Sequence, residues 1–113
     1  MSHDAVPARG DVVWLSFSPQ AGREQAGRRP ALVLTPAPFN RRVGLAFVCP
    51  ITSRVKGYPF EVGLRGAGEV TGVILVDQLR SLDWRARRAE PAGKASGHVM
   101  AEVVAKLRPL LEA

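Results

Sequence analysis

Short β-rich runs alternate with turn residues along the chain, at a spacing of roughly 8 to 12 residues. This pattern predicts strands near Asp11 to Phe17, Ala31 to Thr35, Val43 to Ile51, Pro59 to Leu64 and Val73 to Leu79. Many short strands at this spacing are typical of a barrel or a sandwich. We therefore expect an all-β fold.

A helical pattern occurs only at the C-terminal end, from His98 onward. The apolar residues on its predicted inner face are Val99, Met100, Val103, Val104 and Leu107, and the opposite face carries Glu102, Lys106 and Arg108. Ser96 is predicted to be the N-cap. Pro109 is expected to end or kink the helix, which leaves Leu110 and Leu111 to pack as a tail. We expect this helix to cap the barrel.

Two polar, glycine-containing segments are predicted to be surface loops. Ser18 to Arg29 lies between the first two strands and is too long for a tight hairpin turn. Thr52 to Tyr58 joins the third and fourth strands and is followed by Pro59, which biases Tyr58 toward an extended backbone. Long surface loops often carry functional residues.

The 113 residues are 46% apolar and 23% charged, which predicts one folded domain over 1–113 with a flexible N-terminal arm at 1–8. The net charge is +6, and thirteen of the sixteen cationic residues are Arg. Arginine presents a planar fork of donors that suits phosphate, so this excess favours a nucleic acid or another polyanion as partner. A merely basic surface is the alternative.

The single cysteine, Cys49, rules out an intrachain disulfide and favours a reducing cytosol. Its apolar neighbours predict a buried strand. The N-terminus does not resemble a signal peptide, and no apolar run approaches about 18 residues, so we expect a cytoplasmic protein without membrane contact. His3 and His98 lack a ligand spacing, and no cofactor loop is present, so neither a metal nor a cofactor is expected.

The densest polar cluster is Arg23-Glu24-Gln25-Ala26-Gly27-Arg28-Arg29, which leads directly into Pro30 and a strand. One interpretation is a solvated cluster of ion pairs. The other is a carboxylate, Glu24, and a cation, Arg29, that face one pocket. Such a pair suits RNA cleavage without metal, in which the ribose 2′-OH attacks the neighbouring phosphate and needs a base together with positive charge for the phosphorane.

These residues resemble the MazF/PemK family of toxin endoribonucleases from bacterial toxin–antitoxin pairs, and the resemblance runs from about Gly10 to Leu111. The matching blocks are Gly10-Asp11 with Trp14, Glu24-Gln25-Ala26-Gly27 with Arg29-Pro30, Pro50 with Thr52, Lys56 to Val62, and Asp77-Gln78 with Ser81 and Trp84 to Arg87. The resemblance implies an SH3-like barrel that acts as a homodimer. It also implies sequence-specific, metal-independent cleavage of single-stranded RNA to 2′,3′-cyclic phosphate and 5′-OH ends.

The resemblance places the catalytic base on Glu24, the phosphate-binding cation on Arg29 and a supporting hydroxyl on Thr52. Further candidates for RNA contact are Arg23, Gln25, Arg28, Ser53, Arg54, Lys56, Tyr58, Phe17, Gln78, Arg85 and Arg87. The implied protein partner is a MazE-like antitoxin whose acidic, partly disordered segment covers the basic groove. Operator DNA is expected to be bound only through the antitoxin complex.

Several of these residues have a structural interpretation beside the functional one. Trp14 and Trp84 are expected in core or dimer packing rather than on bases, and Tyr58 and Phe17 suit either role. Arg85 and Arg87 are predicted on one face of a strand, as an RNA track or a solvated face. The remaining acidic candidates are Glu61, predicted to be a charge on a strand surface, and Asp77, predicted with Gln78 to make a structural or dimer contact.

Three positions depart from the family pattern: Ser16 and Ser18 stand where acidic residues can occur, and Arg28 stands where His occurs. These changes bear on which RNA sequence is recognised. Two rival functions stay open. One is a toxin of the same fold that inhibits DNA gyrase by binding, and the other is an RNA-binding module without catalysis.

Overall fold

The computed structural model describes residues 5–17 and 27–112 of the chain. The strands in these ranges are β1 Asp11–Ser16, β2 Arg28–Val33, β3 Ala46–Thr52, β4 Glu61–Ala67, β5 Val70–Leu75, β6 Arg80–Leu82 and β7 Glu90–Lys94. The helices are α1 Ala37–Val43 and α2 Gly97–Leu111, and a 3₁₀ turn spans Val76–Gln78.

The strands form one antiparallel sheet in the order β4-β5-β3-β2-β1-β7, and β6 pairs with β3 beside this path. The sheet curls until its two ends meet, where β7 crosses the end of β4. A Cβ atom on Gly93 would lie 2.8 Å from both the backbone carbon and the oxygen of Ala67, and the φ of Gly93 is +156°. Glycine at this position therefore lets the two ends approach and close the barrel.

The core consists of two apolar clusters on opposite faces of the central strands. One contains Leu32 and Cys49 and lies under α2, and the other contains Ala31, Val33 and Val48. Since successive side chains of a strand point to opposite faces, β2 and β3 are buried on both sides. Cys49 is fully buried, as the sequence predicts.

Helix α1 is absent from the sequence-based prediction, which places part of it, Val43, in a strand. Its seven residues span two turns, too few for a helical pattern to stand out. The helix is fixed by Asn40, which is fully buried. The Asn40 side chain donates to the carbonyls of Pro7 (2.7 Å) and Thr35 (2.9 Å), and its Oδ1 accepts from the Thr35 hydroxyl at 2.6 Å.

The indole of Trp84 is buried on the second cluster and donates to the Asn40 backbone carbonyl at 2.9 Å, so core packing of this residue is confirmed. Trp14, in contrast, is 39% exposed, so it does not pack in the core of the chain, and dimer packing stays a prediction for it. It lies on the outer side of β1, opposite Pro30 and Glu90.

Several predicted strand boundaries need correction. Strand β2 begins at Arg28, so Arg28 and Arg29 lie in a strand and not in the preceding loop. Strands β6 and β7 were missed, because β6 has three residues and β7 contains a proline and a glycine. The segment from Trp84 to Arg88 is a turn, so the predicted strand stripe of Arg85 and Arg87 is wrong.

Helix α2 is confirmed, and its N-cap is Ser96, whose hydroxyl accepts from the Val99 backbone N–H at 3.1 Å. Val99, Met100 and Val103 are buried against the first cluster, so the helix caps the barrel. The helix does not end at Pro109 but continues to Leu111. The predicted packed tail is also wrong, because the last two leucines of the helix are exposed.

The described part of the expected N-terminal arm, residues 5–8, is anchored to the barrel. Pro7 is buried and accepts from Asn40, and the backbone N–H of Ala8 donates to the Asp11 carboxylate at 2.8 Å. Residues 1–4 lie outside the described residues. Neither helix of the described ranges is long and apolar enough to cross a membrane.

Candidate active site and nucleic-acid interface

Arg29 and Thr52 lie at the same end of two neighbouring strands. Ala31 of β2 is opposite Pro50 of β3, and Arg29 and Thr52 each lie two residues farther toward this end. Because side chains alternate along a strand, both residues share the face of Ala31 and Pro50. The fold therefore brings together the predicted cation and the predicted hydroxyl.

Thr52 is held firmly in this position. Only 8% of the residue is exposed, and its hydroxyl accepts from the Arg54 backbone N–H at 3.2 Å. A Cβ on Gly72 of β5 would lie 2.2 Å from the Thr52 carbonyl oxygen, so β5 packs this closely only because residue 72 is glycine. The hydroxyl is thereby fixed at the end of β3, while Arg29 is exposed.

The three predicted residues that precede this pair, Arg23, Glu24 and Gln25, lie outside the described residues. The described part of the chain resumes at Gly27, whose carbonyl accepts from the Phe17 backbone N–H at 2.7 Å. The segment that contains Glu24 is thus bounded by two residues that pair with each other next to Arg29. These anchor points lie at the same end of the sheet as Thr52.

Two further arginines from distant parts of the chain meet beside this end. The Arg28 guanidinium forms an ion pair with Glu90 and donates to the Arg88 carbonyl at 2.7 Å. Arg87 donates from its side chain to the Ser16 carbonyl at 2.9 Å, and its own backbone carbonyl accepts from the Ser16 N–H. The turn from Trp84 to Arg88 is therefore fastened to the start of β2, next to Arg29.

Arg85 belongs to the same turn and stacks over Trp84, with its Cζ 4.7 Å from the ring centroid. Arg85 is exposed and Arg87 is partly buried. Although the predicted strand is wrong, the turn still concentrates arginines beside Arg29. We call the set of Arg28, Arg29, Arg85 and Arg87 the basic rim.

The loop between β3 and β4 carries four of the predicted RNA contacts, all of them exposed: Ser53, Arg54, Lys56 and Tyr58. Its conformation is fixed by Glu61, the first residue of β4. The Glu61 carboxylate accepts from the backbone N–H groups of Lys56 (3.2 Å), Gly57 (3.0 Å) and Tyr58 (3.3 Å). Glu61 is thus a charge at the surface of a strand, as predicted, and it also anchors the loop, which the sequence did not predict.

Two side chains from other elements hold the same loop. The Tyr58 hydroxyl donates to Asp77 at 2.9 Å, which confirms a structural contact for Asp77. Lys106 of α2 donates to the carbonyls of Pro59 (2.6 Å) and Glu61 (3.1 Å). The loop that carries these cations is therefore held in place by β4, the 3₁₀ turn and α2.

Phe17 is wrong as a base-stacking candidate, because its ring is fully buried in the second cluster. Burial removes the open ring face that a base needs. Gln78 is partly buried in the 3₁₀ turn. Arg80, two residues farther along, places its Cζ 5.6 Å from the Phe17 ring centroid. Sequence reasoning missed Arg80, since only the folded barrel brings its side chain over the Phe17 ring.

Cys49 is not suited to nucleophilic chemistry. Burial, and secondarily the negative charge of Asp77, raise the pKa of the Cys49 thiol from its ordinary 9.0 to about 12. The thiol therefore stays protonated near neutral pH, and a thiol is a far weaker nucleophile than a thiolate. Of the three predicted catalytic residues, Arg29 and Thr52 are in the described ranges, and both lie at this end of the barrel.

Residues 8–111 match the family model described as "PemK-like, MazF-like toxin of type II toxin-antitoxin system". The chain belongs to this family. It is 44% identical over 106 residues to the endoribonuclease toxin MazF of Escherichia coli K12, an alignment that covers 94% of this chain and 95% of that protein. The PemK/MazF-like resemblance of the sequence is thus confirmed.

Solved structures of MazF proteins share the fold of this family member. The crystal structure of MazF from Deinococcus radiodurans superposes with a TM-score of 0.92 at 58% identity, covering 97% of this chain and 100% of that chain. The MazE–MazF crystal structure from the same organism gives a TM-score of 0.85 at 59% identity, covering 96% and 97%. The expected SH3-like barrel with a C-terminal helix is confirmed.

Proposed function

We propose that this protein is a toxin endoribonuclease that cuts single-stranded RNA and is neutralised by an antitoxin. The observation that carries the proposal is the convergence of Arg29 and Thr52 at one end of the barrel, directly after the segment that contains Glu24. The relatives support it, since the E. coli protein of this family is named an endoribonuclease toxin.

Glu24, Arg29 and Thr52 each have a separate role in one transesterification reaction. The Glu24 carboxylate removes the proton of the ribose 2′-OH, and the 2′-oxygen attacks the adjacent phosphorus. Arg29 stabilises the dianionic phosphorane, and Thr52 supplies a hydrogen bond from its fixed hydroxyl. The bond from phosphorus to the 5′-oxygen breaks, water protonates that oxygen, and the products are a 2′,3′-cyclic phosphate and a 5′-OH.

Arg29 acts through its charge and not as an acid. A guanidinium holds its proton tightly, so it is a poor proton donor at neutral pH. Arg29 is exposed at the strand end, where a phosphate can approach its guanidinium. This division of roles needs no metal ion or cofactor.

RNA lies along the basic rim and the β3–β4 loop. Arg85 and Arg87 of the rim and Arg54 and Lys56 of the loop contact phosphates, and Tyr58 stacks on a base. Arg23 and Gln25, on the segment that carries Glu24, and Ser53 and Gln78 complete the contact surface. Because Arg28 is paired with Glu90, part of its charge is already neutralised before RNA binds.

The proposed protein partners follow from the positive charge of the chain. Two copies form a homodimer with twice the +6 charge of one chain, and an acidic antitoxin segment covers the groove. The Deinococcus relative was crystallised as a MazE–MazF complex, which supports a MazE-like partner. Operator DNA is reached only through that complex. With a single, buried cysteine, the protein suits the reducing cytoplasm.

The test is incubation of the purified chain with a long single-stranded RNA in EDTA, beside the variants Glu24→Ala and Arg29→Ala. We expect discrete cuts with cyclic-phosphate ends, and a loss of rate of at least about 100-fold in both variants. Cut-site mapping then gives the recognised sequence.

Two results would contradict the proposal. Intact RNA with retained binding would indicate a non-catalytic RNA-binding module. Toxicity that survives Glu24→Ala without RNA cleavage would indicate a toxin that acts by binding a protein such as DNA gyrase.

A further inference from the structure

Arg80 places a charged guanidinium on the apolar side of the sheet that also carries the proposed active site. It is the first residue of β6 and pairs with Val48 of β3. Its guanidinium lies over the buried ring of Phe17, with the Cζ 5.6 Å from the ring centroid. The attraction of a cation to an aromatic face fixes the position of the guanidinium.

One donor of this guanidinium has no acceptor among the described residues. The Nη1 atom of Arg80 is buried and has no hydrogen-bond partner in the described part of the chain. A buried donor without an acceptor costs free energy, and such atoms are rare in native proteins outside functional sites. A phosphate oxygen is an acceptor that suits an arginine guanidinium in both charge and geometry.

The strand register places Arg80 on the face that carries Arg29 and Thr52. Val48 is opposite Arg80 on one side and opposite Val33 on the other. Alternation along β2 and β3 then puts Arg29 and Thr52 on the same face as this row. The long side chain of Arg80 reaches Phe17 at the end of β1, and Leu15, two residues before Phe17, is the residue paired with Arg29.

We propose that Arg80 is a phosphate-binding residue of the RNA site, and that its unsatisfied Nη1 donates to a non-bridging phosphate oxygen of the bound strand. This inference rests on the proposed function. Phe17 then has an indirect role, because its buried ring holds the guanidinium in position. The RNA phosphate supplies the acceptor that the described part of the free protein lacks.

A purely structural role makes the opposite prediction. If the guanidinium serves only to pack on Phe17, its removal lowers stability and leaves RNA affinity unchanged. If the Nη1 donor binds an RNA phosphate, removal of the guanidinium lowers the RNA affinity. The stability then stays the same or rises, because an unsatisfied buried donor disappears. Thermal unfolding and RNA binding therefore separate the two roles.

The experiment uses the variants Arg80→Met and Arg80→Lys and, as a matched control, Arg65→Met. Arg65 is an exposed arginine of β4 outside the proposed site, and its loss changes the net charge equally. The probe is an RNA of the mapped cut sequence with a 2′-deoxy nucleotide before the cut, which binds without being cleaved. Affinity is measured at several salt concentrations.

For Arg80→Met we expect about a tenfold loss of affinity, a salt slope smaller by about 0.7 and an unchanged or higher Tm. Arg80→Lys keeps the charge, so its slope stays at the wild-type value with an intermediate affinity. A lower Tm with unchanged affinity and slope would overturn the proposal, and so would an equal loss of affinity in Arg65→Met.

Failure of this inference is distinguishable from failure of the proposed function. If the wild-type chain cuts RNA and Arg80→Met binds and cuts equally well, only the role of Arg80 is wrong. If the wild-type chain cuts no RNA, the proposed cleavage is wrong. The binding series on unmodified RNA then still decides whether Arg80 contacts a phosphate.

Discussion

At the scale of single residues, Asn40 shows how one buried amide can organise three segments. It holds the N-terminal stretch through Pro7, the end of β2 through Thr35, and the indole of Trp84 through its backbone carbonyl. Each donor and acceptor of the side chain has a partner, so burial of the amide is compensated. Loss of the side chain leaves the buried Pro7 carbonyl and two part-buried groups of Thr35 without these hydrogen bonds.

We therefore expect Asn40→Ala to lower the free energy of unfolding by about 3 kcal/mol, since each unsatisfied buried group costs about 1–3 kcal/mol. Urea unfolding followed by Trp fluorescence measures the change. The matched control is the exposed neighbour on the same helix, Arg41→Ala, for which a change within about 0.5 kcal/mol is expected. Equal effects would refute the role of Asn40.

Thr52 allows a test at the level of one hydroxyl. Thr52→Val keeps the shape of the side chain and removes the hydroxyl, so we expect a roughly 10- to 100-fold lower single-turnover cleavage rate with little change in RNA binding. Thr52→Ser restores the hydroxyl and most of the rate. A Val variant that cuts at the wild-type rate would remove Thr52 from the proposed chemistry.

The sequence could predict, through the family resemblance, that Arg29 and Thr52 belong to one site, and the fold places both at the same end of the barrel. It could not predict Asn40 or Arg80. Their contacts come from segments far apart in the chain, and an isolated Asn or Arg in a sequence carries no signal of burial. For Phe17 the sequence could not decide between packing and base stacking, because the residue lies beside a loop, and only the barrel shows that it is buried.

At the scale of elements, the loop between β3 and β4 is a preformed unit. Glu61 binds three consecutive backbone N–H groups, and Tyr58 and Lys106 tie the loop to the 3₁₀ turn and to α2. A loop that is ordered before binding loses less conformational entropy when RNA arrives. For the proposed function, this order means that the loop cations bind RNA more tightly than they would on a flexible segment.

Glu61→Ala should free the loop, so we expect the KM for RNA to rise about tenfold while kcat changes by less than about threefold. Glu61→Gln keeps one acceptor oxygen and should recover part of the affinity. Steady-state cleavage of a short RNA gives both constants. A fall in kcat at constant KM would show that Glu61 acts on the chemical step and not through the loop.

The elements that sequence analysis missed are the short ones. Helix α1 has two turns, β6 has three residues, and β7 contains Pro91 and Gly93, so none of them has a periodic pattern long enough to detect. Strand β7 forms because it pairs with β1, although its own composition does not favour a strand. Helix α2 was predictable, since its apolar face and its Ser96 cap are both local signals.

At the scale of the whole molecule, closure of the barrel depends on the contact between β7 and the end of β4. Gly93→Ala puts a Cβ into the backbone of Ala67 at a φ that L side chains rarely adopt. We expect a loss of about 2–4 kcal/mol in the free energy of unfolding, by the same order as other strained or overpacked sites.

Gly63→Ala in β4 is the matched control, because a Cβ there meets no atom within 4 Å. We expect this variant to be as stable as the wild type or slightly more so. Chemical denaturation of the two variants side by side measures the difference. If Gly93→Ala is as stable as Gly63→Ala, the barrel tolerates a wider separation of its ends.

Chemical modification of the buried Cys49 thiol can report how often the barrel opens. The Cys49 thiol is inaccessible and protonated while the barrel is intact. A thiol reagent can therefore modify Cys49 only in molecules in which β3 has become exposed. The modification rate then measures how often this opening occurs. Without any introduced label, this rate can be followed as RNA or antitoxin is added, and a ligand that clamps the barrel will slow it.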